Sequence, residues 1–185
     1  MSRQYWNETL AWATADGTAI ANTTTETIIF PNVTVPANYL QDGRVLRLTA
    51  YGRHSTTATP TLTFAVRWGG VSGIVIAQSG AITCGSAVSN AMWKVEVLIQ
   101  VRSNGSTGSV FAVGEVHVGE DAASTVGSAT NASAMGLMGS AGVATPAAVT
   151  VDLTADTALA LTADWSAANA ANTLTGHVYV IEALN

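Results

Sequence analysis

One cysteine (Cys84), one lysine (Lys94) and four prolines mark what this 185-residue sequence is short of. A lone cysteine cannot build the paired framework of a disulfide-stapled domain. Only 10% of the residues are charged, 7 Lys+Arg against 12 Asp+Glu, for a formal net charge of -5. An average soluble domain carries roughly a quarter charged residues. Seven scattered cations in an acidic chain form no basic patch able to neutralise phosphates, which disfavours nucleic acid as a partner. The mean hydropathy of +0.32 runs against disorder, because disorder needs low hydrophobicity and high charge. Long apolar runs are missing as well, with no stretch of about 18 apolar residues to span a bilayer. The smoothest run, Met135 to Val149, is interrupted by Gly136, Gly139, Gly142 and Pro146. Residues 1–10 carry Arg3 and Glu8 and lack the apolar core of a signal peptide. The expectation is a soluble protein with no membrane contact, made and used without Sec export.

Catalytic motifs are scarce. There is no G-x-S-x-G elbow, no Gly-Lys phosphate loop and no H-E-x-x-H. His54, His117 and His177 each sit in a strand-like run. Glu115 and His117 share a strand face and could ligate a metal if His177 lay opposite, but half-exposed strand histidines fit better. Asp152, Asp156, Asp164 and Glu182 could supply the paired carboxylates of a glycosidase. Asp152 and Asp156 more simply end strands and accept turn hydrogen bonds. Cys84 has no basic neighbour in sequence to lower its pKa and reads as a small buried hydrophobe. The expectation is a non-enzyme with no cofactor and no metal.

What the sequence does contain is a hydrophobic period of 2. Leu62, Phe64, Val66 and Trp68 share one face of a strand, and Trp93, Val95, Val97, Ile99 and Val101 share one face of another. Leu98 falls among the polar residues of the opposite face and suggests partial cover there. Val110, Ala112, Gly114, Val116 and Val118 alternate with Phe111, Val113, Glu115 and His117. Leu46, Leu48 and Ala50 oppose Arg47, Thr49, Tyr51 and Arg53. Strict alternation in the last run sets Leu174, Val178 and Val180 opposite Thr175, His177, Tyr179 and Ile181. Shorter strands are expected at 27–30, 74–78, 149–153 and 159–165. Asp42-Gly43, Gly69-Gly70 and Asn104-Gly105 supply turns, and Asn-Gly between alternating runs is a strong hairpin signal. Eight or nine strands without an amphipathic helix predict an all-β fold: an antiparallel β-sandwich, a jelly roll of about eight strands over 26–185.

Two regions fall outside this pattern. Residues 1–25 read as an N-terminal arm holding Tyr5, Trp6 and Trp12 among polar residues. The arm either folds back on its own sheet or anchors a partner, since Trp and Tyr are common interface anchors. Residues 119–146 read as a long Gly/Ala/Ser-rich loop with Met135, Leu137 and Met138 at its middle. Such a loop is either a linker or a close-packing element near an oligomer axis. No charge occurs between Arg67 and Lys94 or between Asp121 and Asp152. Charge is depleted where subunits meet, so these stretches, and the six apolar residues just named, are the candidate partner-binding sites.

Three stretches carry a family resemblance: Pro31 to Leu40 (PNVTVPANYL), Leu62 to Gly70 (LTFAVRWGG) and Leu161 to Asn185 (LTADWSAANAANTLTGHVYVIEALN). They resemble structural proteins of tailed-phage virions, among them jelly-roll capsid decoration (cement) proteins. The resemblance spans most of the chain from about Thr27. It implies a homotrimer on the capsid surface, with the major capsid protein as partner, and carries over no contact residue. A tail-fibre or receptor-binding head domain, reading host glycan or protein, is the alternative.

Overall fold

The computed structural model describes residues 7–120, 134–140 and 146–184. Fourteen strands occur among them. Five carry most of the ladder: β5 (Val45–Ser55), β9 (Ala91–Ser103), β10 (Gly108–Val118), β13 (Thr157–Trp165) and β14 (Thr173–Ala183). With them run β6 (Thr61–Trp68) and β7 (Ile74–Ser79). The short strands are β1 (Glu8–Trp12), β2 (Ile20–Ala21), β3 (Thr27–Ile28), β4 (Val33–Val35), β8 (Ile82–Thr83), β11 (Ala134–Gly139) and β12 (Val149–Val151). All pairings are antiparallel, along the path β1-β14-β5-β9-β10-β11-β7-β6-β13-β3. The short strands work in pairs along the margins of long ones: β1 and β2 on β14, β3 and β4 on β13, β11 and β12 on β10, β7 and β8 on β6.

The path divides into two halves, β1/β2-β14-β5-β9-β10 and β7/β8-β6-β13-β3/β4, joined through β11. Their inner faces meet. Phe64 of β6 lies 5.3 Å from Trp93 of β9, and Phe30, just past β3, stacks at 4.8 Å on Tyr179 of β14. The alternating residues read from the sequence fill this core. Leu46, Leu48, Ala50, Leu62, Phe64, Trp93, Val95, Val97, Val110 and Val116 are all buried. Trp93 donates to the Thr175 carbonyl at 3.2 Å. Gly52 permits this approach, because a Cβ there would sit 2.6 Å from the Trp93 ring. The expected hairpin joins β9 and β10 through Asn104-Gly105, where Gly105 takes a φ of 103° that a side chain would disfavour.

The all-β antiparallel expectation holds. Jelly-roll connectivity is a finer statement than this path makes, and the strands number fourteen among the described residues rather than about eight. Four local points change or add to the expectation. First, the described part of the 1–25 arm takes one of its two expected courses and folds back on the sheet. β1 pairs with β14 from Glu8↔Ala183 to Trp12↔Val180, β2 pairs at Ile20↔Leu174, and Ile20 is buried. Glu8 is further tied by the Tyr39 hydroxyl at 2.6 Å and by Arg44 at 3.2 Å. Secondly, the 119–146 loop contains strand β11, which pairs with β10 from Val113↔Gly139 to Val118↔Ala134. Thirdly, β14 carries a bulge between Gly176 and Val178. A bulge adds one residue and so exchanges the two faces beyond it. Tyr179 and Ile181 therefore point inward, while Val178 is left 49% exposed. Fourthly, β13 is buried on both faces from Leu159 to Ala163.

Candidate functional site

The inner faces leave the outer face of β1, β14, β5, β9, β10 and β11 to be read as a grid. Cross-strand register sets Glu182, Arg47, Leu98, Val113 and Gly139 in one row. The next row is Trp12, Val180, Thr49, Glu96, Glu115 and Leu137. A third runs Val178, Tyr51, Lys94, His117 and Met135. Nine large hydrophobic residues are exposed among the described residues, and seven of them lie on this face: Trp12, Met92, Leu98, Val113, Met135, Leu137 and Val178. Leu137 is the most open, at 83%. Large apolar residues gathered on one face in this way mark an interaction site more often than chance exposure.

Most charges of the face are paired within it, Arg53 and Arg102 excepted. Arg47 holds Glu182 at 2.7 Å. Lys94 bridges Glu96 at 3.0 Å and Glu115 at 3.4 Å, and His117 adds a 3.2 Å contact to Glu115. The Glu96 and Glu115 contacts hold Lys94 above its ordinary pKa, and those of His117 and Lys94 hold Glu115 below its own. Arg102 lies over the Phe111 ring at 5.1 Å. Two shallow depressions open on the face. One, of about 420 Å³, is lined by Leu98, Val113, Leu137 and the flanking glutamates. The other, of about 490 Å³, is lined by Tyr51, Arg53, Asn90, Met92 and His177.

The six sequence-predicted residues divide. Tyr5 and Trp6 lie outside the described residues. Trp12 is 63% exposed at the β1 margin, and Met135 and Leu137 stand on the opposite margin. Met138 is corrected: it points inward from β11, is 2% exposed, and belongs to the core. Sequence reasoning had not picked out Met92 and Val178. Met92 breaks the polar set of β9 as Leu98 does, and that signal was available. Val178 was hidden by the bulge.

No family model matches the chain. No curated protein matches it. A solved structure that aligns with it is the CBM2 module of the evolved Dit of Lactobacillus casei BL23 phage J-1, at 8% identity over 99% of this chain and 98% of that one. The TM-score is 0.41. A superposition that loose carries no argument about this chain.

The remaining chemistry-bearing residues are spread through the fold. His177 reaches Asp16 at 2.7 Å, while His54 is buried on the inner face of β5. Its Nδ1 lies 3.2 Å from the Ala91 carbonyl, and Nε2 finds no partner. Burial pushes the His54 pKa down to about 4. Among the described residues no three His, Cys, Asp or Glu side chains gather closely enough to hold a metal ion. Asp152 accepts the Thr154 amide and hydroxyl, at 2.8 and 2.6 Å, the turn bonds expected of it, whereas Asp156 accepts the amide of distant Ala37 at 2.8 Å and ties the segment after β4 to the start of β13. Asp164 sits near Glu26, and burial together with that neighbour raises its pKa. Cys84 is buried, and desolvation, with Glu120 nearby, pushes its thiol up to about 12. A thiol so held is no nucleophile at neutral pH.

Proposed function

We propose that this chain is a non-catalytic structural protein of a tailed-phage particle, a decoration protein that binds the assembled head as a homotrimer and stabilises it. One observation supports an assembly role above the others: among the described residues, seven of nine exposed large hydrophobics share one sheet face most of whose charges are already paired in place. The sequence resemblance to virion proteins supplies the particle. A protein that binds only the assembled shell raises the free energy of shell disruption by mass action.

The test is position and effect. Antibody or gold labelling of purified particles should mark the head, and heads lacking the protein should lose their DNA at a lower temperature. Label on the tail would overturn the decoration role. It would favour a second reading, a receptor-binding head domain, which the depression around Tyr51, Arg53, Asn90 and His177 supports by setting aromatic and polar groups side by side. Soluble host glycan or cell-wall material would then bind the isolated chain.

A further inference from the structure

Six of the seven exposed apolar residues of the outer face fall into two clusters, and the seventh, Met92, stands on β9 between them. On the β1/β14 margin stand Trp12 and Val178, neighbours on the same face because Trp12 pairs with Val180. On the β9–β11 margin stand Leu98 and Val113, directly paired, with Leu137 and Met135 continuing the ridge along β11. Between them runs a band of Arg47, Thr49, Tyr51, Lys94 and Glu96. Five steps of about 4.8 Å put Trp12 on β1 and Leu137 on β11, the outer limits of the two clusters, roughly 25 Å apart.

We infer that these clusters are the two halves of a contact between copies of this chain, the β11 ridge of one copy packing on the Trp12–Val178 cluster of the next. The inference rests on the homotrimer of the proposed function and assigns its surface. Three observations favour a second copy as occupant. A closed ring needs two different patches on each subunit, and a single face here carries two. The face measures roughly 25 by 30 Å, so a copy using both clusters buries about as much as the roughly 800 Å² that a partner contributes to a standard interface, shared between two neighbours. The third is charge. The face carries four basic residues, Arg47, Arg53, Lys94 and Arg102, and three acidic ones, Glu96, Glu115 and Glu182, in a chain whose formal net charge is -5. Acidic copies repel over most of their surface, and this near-neutral face is where they can approach. A partner recruited by charge would be met mainly by unpaired charges, whereas five of these seven, Arg47, Lys94, Glu96, Glu115 and Glu182, have their counter-ions in place, and Arg53 and Arg102 have none among the described residues.

Native mass spectrometry and light scattering on the full chain test this, with two variants. Leu137→Glu with Met135→Glu disables the ridge, and Trp12→Glu disables the opposite cluster. Each alone should be monomeric, its dissociation constant raised at least about a hundredfold by charges placed in a dry contact. Mixed in equal amounts, the two should form a heterodimer and stop there, because one intact ridge then meets one intact cluster. Val71→Glu, exposed on the turn between β6 and β7 and off this face, should leave the mass unchanged. Leu137→Thr with Met135→Thr, which keeps strand-forming residues, should weaken assembly while melting as the wild type does. A wild type that stays monomeric to roughly 100 µM overturns the inference. So does a variant pair that keeps the trimer mass, in which case copies meet elsewhere and the homotrimer stands. A mixture that remains monomeric also overturns it. Absence of the protein from labelled heads would remove the particle assignment and leave these masses to be judged alone.

Discussion

The outer face of β6 and β13 and the outer face of β9, β10 and β11 are built on the same pleat, yet the described residues cover only one of them. On β6 and β13 the outward residues include Ala65, Ala160 and Thr162, all buried. Glu26, from the segment before β3, lies over them. It takes Arg67 in a bidentate pair at 2.5 Å and the Thr162 hydroxyl in a short hydrogen bond, while Arg67 also donates to the Gly73 carbonyl at 2.8 Å. Burial would raise the Glu26 pKa, but the Arg67 and Thr162 hydrogen bonds outweigh it and hold the carboxyl below its ordinary value. On β9, β10 and β11 no described segment lies over Leu98, Val113 and Leu137, which stay 39–83% exposed. Small side chains with an internal clamp mark a face closed in cis. Large apolar side chains among mostly pre-paired charges are what the proposed contact with another molecule rests on.

The sharpest way to break this contrast lies within β11 itself. Met138 and Leu137 are neighbours that point to opposite sides. Met138→Ala should cost about 2–4 kcal/mol of folding stability in denaturant titrations, the usual loss for emptying a core site. An unchanged midpoint would mean that β11 is not docked as described. Acid reaches the interior of the first half through His54. Its folded pKa of about 4 lies below the ordinary 6.5, so the unfolded chain takes up the proton first as pH falls. That contribution is intact above pH 6.5 and is lost progressively towards pH 4, a total of about 3 kcal/mol for a shift of this size. His54→Leu should flatten the stability profile between pH 6.5 and 5, and an equally steep profile would assign the loss to other groups.

The clamp of the second half comes next in size. Glu26→Ala should cost about 2 kcal/mol, less than the 3–5 of a fully buried pair, because Glu26 and Arg67 keep 24% and 18% side-chain exposure. The mass of the assembly should not change. Smallest is Leu137→Ala, expected within about 0.5 kcal/mol of wild type in folding stability, with its effect confined to self-association.

The inward faces of β5, β6, β9 and β10 were legible because each alternates without interruption over its full length. The hairpin at Asn104-Gly105 was legible because the turn chemistry is local. The last strand was legible only as far as Gly176: one extra residue at the bulge inverted the assignment of Val178, Tyr179, Val180 and Ile181. β11 was missed because Ala-Met-Gly-Leu-Met-Gly holds no β-branched residue, and its strand form comes from pairing with β10. Two-residue strands such as β2, β3 and β8 have no period to read. Of the candidate site, Trp12, Met135 and Leu137 were visible as large apolar groups in polar or small-residue surroundings. Their convergence on one face needed the register of six strands.

Between the two halves, backbone pairing of β11 with β7 amounts to Met138↔Ser79 and Gly139↔Gln78. Side-chain contacts such as Phe64 on Trp93 fasten the rest. In mechanical terms the molecule is riveted across its thickness and only tacked along one seam. A pull that peels β7 from β11 loads two residue pairs in turn, whereas a pull along β9 and β10 must shear ten at once. The fold is thus stiff to forces along its long strands and opens like a clasp at one edge.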